Sequence, residues 1–199
     1  RMQSSAPQLL DFADESQATL EEYGIEDEKS QWFGTNCLLA RRMVERGVRF
    51  VQLYHYTWDD HSNLNKRLKS NCEMTEQGVA ALVKDLDRRG LLDETLVVWG
   101  GEFGRTVYAQ APEKDGGRDH HPRCFTTMLA GGGVRGGYVH GSTDDYCYNV
   151  VDDPVHVHDL NATILELMGI NHESLTFKFQ GRKYRLTDVH GKVVREIIA

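Results

Sequence analysis

Residues 95–106 read Thr-Leu-Val-Val-Trp-Gly-Gly-Glu-Phe-Gly-Arg-Thr, and this stretch decides the predicted fold. Residues 96–99 form a short apolar run with β-branched character, which is typical of a strand buried on both faces in the middle of a parallel sheet. Two glycines then turn the chain, so we expect Glu102 and Arg105 at the carboxyl end of that strand. Ligands bind at this edge in open α/β sheets.

Helices and strands alternate on either side of this stretch. Apolar residues at three-to-four spacing predict helices over 30–46 and 72–90, and residues 48–54 and 124–130 are strand-like. Successive helix-to-strand units favour neighbouring parallel strands joined by right-handed crossovers. The sequence therefore predicts an α/β fold with a mostly parallel sheet flanked by helices.

The two ends of the chain have different character. Residues 1–28 are polar and acidic, with few apolar anchors, and are predicted to be a loosely attached connector or arm. Residues 29–199 are predicted to be the α/β domain. Near its end, Asp159 is a good N-cap for a helix over 160–168. Residues 177–186 contain a Gly-Arg turn that predicts a small C-terminal hairpin.

Composition excludes several classes of protein. The chain has 199 residues, a net charge of −7 and a pI of about 5.7, which argues against a nucleic-acid partner or an acidic membrane surface. It has no apolar run long enough to cross a membrane. Its four cysteines are scattered without a Cys-x-x-Cys pair, so a zinc–thiolate site is not expected. Their number allows one disulfide.

Three polar loops carry residues suited to metal or anion chemistry. In the first, Asp59 and His61 are close enough in sequence to chelate one divalent ion. The alternative is a turn in which Asp59 or Asp60 caps the next segment. In the second, Glu102 is a candidate ligand or base, and Arg105 offers a planar fork of donors suited to a tetrahedral anion. The alternative there is an ion pair that closes the loop.

The third loop contains Asp119, His120 and His121. Adjacent side chains of an extended chain point in opposite directions, so only one histidine is expected to be a ligand. Asp119 is suited to fixing the tautomer of that histidine. The alternative is an exposed polar loop. Together the three loops offer a mixed oxygen and nitrogen set suited to zinc, manganese or a similar ion, which promotes ester hydrolysis.

Two other signals are weaker. Residues 131–136 match G-x-G-x-x-G, but polar turn residues follow where a dinucleotide site needs a helix. His156 and His158 would share one face of an extended segment and could bind a metal. A loop leading into a helix is the favoured interpretation of that pair.

Several motifs together resemble the DUF1501 family along essentially the whole chain. The motifs are Arg41-Arg-Met-Val-Glu-Arg-Gly-Val-Arg-Phe-Val51, Trp58-Asp59-x-His61, Gly-Gly-Glu102-Phe-Gly-Arg105-Thr, Gly-Arg-Asp119-His120, the Ala-Gly-Gly-Gly at 130–133 and Thr143-Asp144. The family is grouped with the alkaline phosphatase and sulfatase superfamily. The resemblance implies an alkaline-phosphatase-like fold and a sulfatase-like site.

The resemblance also implies roles for individual residues. Asp59, His61, Glu102 and His120 would bind a divalent ion, which could be zinc, manganese or calcium, and Arg105 would hold the anionic oxygens of the ester. Alternative ligands or supporting residues are Asp60, Asp119 and His121. Phe103 falls where the superfamily has a metal-binding histidine, which is a departure from the superfamily pattern.

The implied function is metal-dependent hydrolysis of a sulfate or phosphate ester, carried by a small molecule or a glycan. No residue before Asp59 resembles the superfamily nucleophile. We therefore expect the chain to be the C-terminal part of a longer protein, whose N-terminal portion would complete the site. Relatives usually carry an export signal, which implies a periplasmic location, and the residues themselves leave a cytoplasmic one open. The alternative is a catalytically inactive exported binding or scaffold domain, which Phe103 favours.

Overall fold

The computed structural model describes residues 8–111 and 115–199. Parts of two sequence predictions, the arm at 1–28 and the polar loop at 108–118, therefore lie outside the described residues. The helices with both ends described are α1 (Gln17–Glu22), α2 (Gln31–Glu45), α3 (Leu64–Arg88) and α4 (Val157–Leu167). The strands are β1 (Val97–Trp99), β2 (Gly104–Arg105), β3 (His120–His121), β4 (Met128–Ala130), β5 (Ser142–Thr143), β6 (Val150–Asp152), β7 (Thr176–Phe179) and β8 (Arg182–Arg185).

The chain divides into two compact units. The first unit is Arg1–Thr95 with Tyr108–Asp119, and the second is Leu96–Val107 with His120–Ala199. The helices α1 to α3 belong to the first unit. The strands and α4 belong to the second.

The first unit is built on close packing of α2 against α3. Gly78 makes this approach possible, because a Cβ there would lie 3.0 Å from the Gly34 Cα of α2. Gly34 in turn lets α2 approach the end of α1, because a Cβ there would collide with the Tyr23 carbonyl oxygen. The core that results is small and mostly apolar. Its buried members are Tyr23, Phe33, Cys37, Leu38 and Ala81.

A buried charge network joins the helices of the first unit. Asp85 is fully buried and receives hydrogen bonds from Arg88 at 2.7 Å, Arg89 at 2.9 Å and the Tyr23 hydroxyl at 3.1 Å. The Arg41 Nε lies 3.0 Å from the same carboxylate. Buried charges are tolerated only when they are paired in this way.

The second unit contains four short antiparallel pairs of strands and the helix α4. The pairs are β1 with β4, β2 with β3, β5 with β6, and β7 with β8. The helix α4 begins with a capping box in which the His156 side chain accepts from the His158 N–H and the Asp159 carboxylate accepts from the His156 N–H.

The predicted fold class is wrong. Among the described residues the strands form only two-stranded antiparallel sheets, so the large parallel sheet of an alkaline-phosphatase-like fold is not there. Residues 48–54 are extended but pair with no described strand. The β1 strand is not buried on both faces either, because the Val98 and Trp99 side chains are both nearly half exposed. A helix between two strand-like runs favours a parallel pair only if both runs enter one sheet, and here they do not.

Several local predictions are confirmed. The helix predicted over 30–46 is α2, and the C-terminal hairpin is β7 and β8, with its turn at Gln180 and Gly181. The predicted helix 72–90 begins earlier, at Leu64, after Asn63 in a left-handed conformation. No helix of the described residues is both long and apolar enough to cross a membrane.

Candidate functional site

The Asp59–His61 loop is held in the first unit by the segment at 115–118. The Arg118 N–H donates to the Asp60 carbonyl at 2.9 Å, and the Asn63 N–H donates to the Asp115 carbonyl at 2.6 Å. Gly117 packs so closely against this loop that any Cβ would collide with the backbone of residues 60 and 61. These contacts fix the backbone from which the Asp59 and His61 side chains project.

The side chains of Asp59 and His61 meet directly. The His61 Nε2 lies 2.9 Å from the Asp59 Oδ1, and both side chains are partly exposed. The other ring nitrogen, Nδ1, lies 2.6 Å from the Gln110 Oε1. With the amide oxygen of Gln110 facing the ring, Nδ1–H is the donor of this bond and Nε2 turns a lone pair towards the carboxylate. With the amide reversed, its N–H₂ donates to Nδ1 and Nε2–H donates to Asp59.

A carboxylate oxygen and a ring nitrogen at this distance are bridged either by the proton of an N–H···O hydrogen bond or by a metal ion. Two ligand atoms that are each about 2.05 Å from a tetrahedral zinc ion lie about 3.3 Å apart, so the two side chains would separate slightly to hold one. A second hydrogen bond that fixes the ring is also usual for a metal-bound histidine. The pair therefore fits a divalent ion in donor type and in the support of the ring.

Asp60 and Asp119 are placed differently from Asp59. The Asp60 side chain is buried, with its carboxylate 3.5 Å from the Arg67 guanidinium. Asp119 is exposed, at the last position of the first unit. Asp60 is thus the less accessible of these two aspartates.

In the second unit, the β2–β3 pair brings two predicted loops together. Arg105 lies directly opposite His120, and Gly104 opposite His121. Gly104 is required at its position because a Cβ there would collide with the Cys124 carbonyl oxygen. Residues fifteen positions apart in sequence therefore share one small surface.

Glu102, Phe103 and Arg105 form a compact group on this surface. The Arg105 Nη2 lies 2.6 Å from the Glu102 Oε1, which is the ion pair that we gave as the alternative to a ligand role. The Arg105 guanidinium lies 5.4 Å from the centre of the Phe103 ring. That ring is 4.8 Å from the imidazole of His120. Phe103 thus packs against both a candidate ligand and the candidate anion-binding residue.

His121 and His156 have structural contacts. His121 is buried, donates from Nε2 to the Tyr148 carbonyl at 2.5 Å and stacks on the Tyr148 ring at 4.2 Å. His156 is the N-cap of α4, which agrees with the interpretation of residues 156–158 as a loop leading into a helix.

Gln110 is the site residue that the sequence did not reveal. It lies in a polar loop without a recognisable motif, and its contact with His61 spans 49 positions. Only the folded backbone shows that it orients the imidazole.

Comparison with known proteins places the chain in a family. The family model described as a protein of unknown function (DUF1501) matches residues 1–198. The chain belongs to the DUF1501 family. No curated protein and no solved structure gives a significant match.

The DUF1501 motifs fall into two kinds, those whose charged residues are buried in the fold and those whose charged residues lie at the surface. Arg41 and Arg42 begin the longest motif and are both buried in ion pairs with Glu15, so that motif serves the fold. The Asp59–His61 and Glu102–Arg105 motifs instead hold charged groups at the surface of their units. These two surface motifs, and not the Arg41 motif, are therefore the candidates for a chemical role.

Proposed function

We propose that this DUF1501 chain binds a divalent cation through Asp59 and His61 and that it serves a metal-dependent hydrolase of sulfate or phosphate esters. The ligand roles of Glu102 and His120 stay predictions from the sequence. Arg105 is proposed to hold the anionic oxygens of the ester. The nucleophile is proposed to lie outside this chain.

One observation carries the proposal: the His61 Nε2 faces the Asp59 carboxylate at 2.9 Å while Nδ1 is held by Gln110 at 2.6 Å. A buried structural histidine would instead turn its N–H groups to backbone acceptors, as His121 does. When bound, a divalent ion would polarise the ester and activate its attacker.

The Glu102–Arg105 pair supports anion binding by its geometry. The guanidinium is held at 2.6 Å by one carboxylate oxygen and is supported on one side by the Phe103 ring. A sulfate or phosphate would compete with Glu102 for the same N–H donors, which are suited to tetrahedral oxyanions. Glu102→Gln should therefore strengthen sulfate or phosphate binding, and Arg105→Lys should weaken it.

The hydrolase assignment is tested by turnover of aryl sulfate and aryl phosphate by the full-length protein with added zinc, manganese or calcium. We expect metal-dependent release of the phenol that is lost in Asp59→Asn and Arg105→Lys and kept in Asp145→Asn, an exposed aspartate in the second unit. Turnover that is unchanged in both Asp59→Asn and Arg105→Lys would refute the proposal. Metal binding without turnover would refute only the hydrolase part.

Phe103 favours a second candidate, a non-catalytic binding or scaffold domain. Its ring packs on His120 at 4.8 Å, so an apolar group occupies the side of a candidate ligand. Binding of the metal by a protein that turns over neither ester would select this candidate.

A further inference from the structure

The cysteines of the first unit, Cys37 and Cys72, are not placed to pair with each other. Cys37 is fully buried in the core, where burial raises the pKa of its thiol to about 12. Its Sγ lies 3.3 Å from the position that a Cβ on Gly78 would take. Cys72 precedes Gly78 by more than a turn and a half of α3, about 9 Å along the helix axis, and projects from a different face.

The cysteines of the second unit, Cys124 and Cys147, lie in two segments that one contact holds together. The His121 Nε2 lies 2.5 Å from the Tyr148 carbonyl oxygen, and the two rings stack at 4.2 Å. Cys147 directly precedes Tyr148. Cys124 follows His121 after a turn, and the carbonyl oxygens of both residues would meet a Cβ on Gly104. The two cysteine-bearing segments are therefore neighbours.

Cys147 lies close enough to Cys124 to affect its ionisation. Burial raises the pKa of the Cys124 thiol, and the negative charges of Cys147 and Asp144 raise it further. A charge has such an effect only within about 10 Å, the Debye length at moderate salt. Cys124 is half-buried and Cys147 is exposed, so a dissolved reagent meets Cys147 first.

The loop that carries Cys147 is built on Asp144. The Asp144 carboxylate accepts from the Tyr148 N–H at 2.8 Å and from the Asn149 N–H at 3.0 Å. Cys147 has a left-handed backbone angle, and its Sγ lies 3.6 Å from the Thr143 Oγ1. These bonds fix the backbone from which the Cys147 thiol projects into solvent.

Two neighbouring thiols suit either a metal ion or a disulfide. A structural zinc site needs four ligands. Among the described residues, neither Cys124 nor Cys147 belongs to a cluster of three or more side chains that could hold a metal ion. Disulfide chemistry needs only the two sulfurs, so it is the use that this pair fits.

We propose that Cys124 and Cys147 are a redox-active pair, which a small-molecule disulfide oxidises to an intramolecular disulfide bond. The Cys147 thiolate attacks one sulfur of the reagent, forms a mixed disulfide and releases one thiol. The Cys124 thiolate then attacks the Cys147 sulfur and displaces the second thiol. Two electrons pass from the cysteines to the reagent, whose two thiols take up the two protons.

The bond joins the loop at 143–150 to the turn that follows β3. It is independent of the proposed metal binding, because neither cysteine is a proposed ligand.

The first test is oxidation of the whole chain by oxidised glutathione at about pH 8, near the ordinary pKa of a thiol. Alkylation of the remaining thiols and peptide mass spectrometry should show a single linked pair, Cys124 with Cys147. Cys124→Ser should stop at a mixed disulfide of Cys147 with glutathione, whereas Cys72→Ser should close as the parent does. A disulfide between any other pair, or a parent protein that stops at the mixed disulfide, would overturn the proposal.

The second test asks whether the fold holds the two thiols together. Equilibration with mixtures of reduced and oxidised glutathione gives the effective concentration of one thiol at the other. We expect a value at least about tenfold higher in the folded protein than in concentrated urea, because the fold has already closed the intervening loop. Equal values in the two conditions would overturn the proposal.

Tyr148→Ala removes the stack on His121 and should lower the folded value by at least about threefold. Tyr146→Ala, an exposed tyrosine of the same loop, is the matched control and should leave the value unchanged. Helical circular dichroism establishes that each variant is folded. A Tyr148→Ala protein that closes as readily as the parent would refute the role of this contact in bringing the thiols together.

Discussion

At the scale of single residues, Asp85 is the charge on which the first unit most depends. Its carboxylate is fully buried and is held by Arg41, Arg88, Arg89 and the Tyr23 hydroxyl. The sequence placed Asp85 within a helix, but no local pattern shows that it points inwards. Its partners come from positions up to 62 residues away, so only the packing of α2 against α3 reveals the network.

Replacement of Asp85 by asparagine should destabilise the first unit strongly. The amide would keep the shape but would leave the buried Arg41 guanidinium without one of its counter-charges, which costs about 3–5 kcal/mol. Urea unfolding followed by helical circular dichroism measures the loss. Asp145→Asn, at an exposed site, should stay within about 0.5 kcal/mol of the parent. A loss below about 1 kcal/mol in Asp85→Asn would show that the network does not support the fold.

Stability should also fall in acid. Burial raises the pKa of the Asp85 carboxyl, but the hydrogen bonds and charges of Arg88, Arg89 and Arg41 outweigh it and leave the pKa below its ordinary value. The pKa of Glu15 is lowered in the same way, by Arg41 and Arg42 against its burial. A lowered folded pKa gives stability that is present above the unfolded pKa, about 4, and lost as pH falls through the folded value.

The measurement is the free energy of unfolding in urea between pH 7 and pH 3. We expect little change down to about pH 5 and a steep loss below about pH 4. Asp85→Asn should show a shallower loss, because one of the two carboxyls is gone. Stability that is flat or rising between pH 5 and pH 3 would contradict the assignment.

At the scale of elements, the helices were easier to predict than the strands. The periods of α2 and α3 appear in sequence because each helix buries one face against the other. The strands are two to four residues long, which is too short for an alternating pattern of apolar and polar residues to be recognised in the sequence. The composition of a sheet strand is found in residues 48–54 and 97–99. Composition predicts that a segment is extended, but it does not predict which strand will pair with it.

The packing of α2 against the end of α1 depends on Gly34. A methyl group there would strike the Tyr23 carbonyl oxygen, so Gly34→Ala should destabilise the first unit by about 1–3 kcal/mol. Helix propensity alone predicts the opposite change in stability, because it favours alanine over glycine by about 1 kcal/mol. Thermal unfolding followed by circular dichroism shows whether Gly34→Ala destabilises the protein, as the clash predicts, or stabilises it, as helix propensity predicts. Gly136→Ala, which meets nothing within 4 Å, should change stability little. A stabilised Gly34→Ala protein would mean that α2 does not lie this close to the Tyr23 carbonyl at the end of α1.

At the scale of the whole molecule, the motifs predicted which side chains meet within a unit better than they predicted the architecture. Asp59 with His61, and Arg105 with His120, do come together within their own units, because each pair is separated by a short loop or joined by one antiparallel pair of strands. The parallel sheet did not follow, since it required long-range pairing that the described chain does not make. Gln110 was missed because its role depends on the folded loop alone.

Zinc titration by isothermal calorimetry at pH 7.5 tests the central claim, that Asp59 and His61 are metal ligands. We predict saturable binding with one ion for each chain, abolished by Asp59→Asn and by His61→Ala. Gln110→Ala should weaken it by about 10–100-fold through loss of the bond that orients the ring. Asp145→Asn should bind as the parent does. Absence of binding by the parent protein, or equal binding by the parent and Asp59→Asn, would contradict the account.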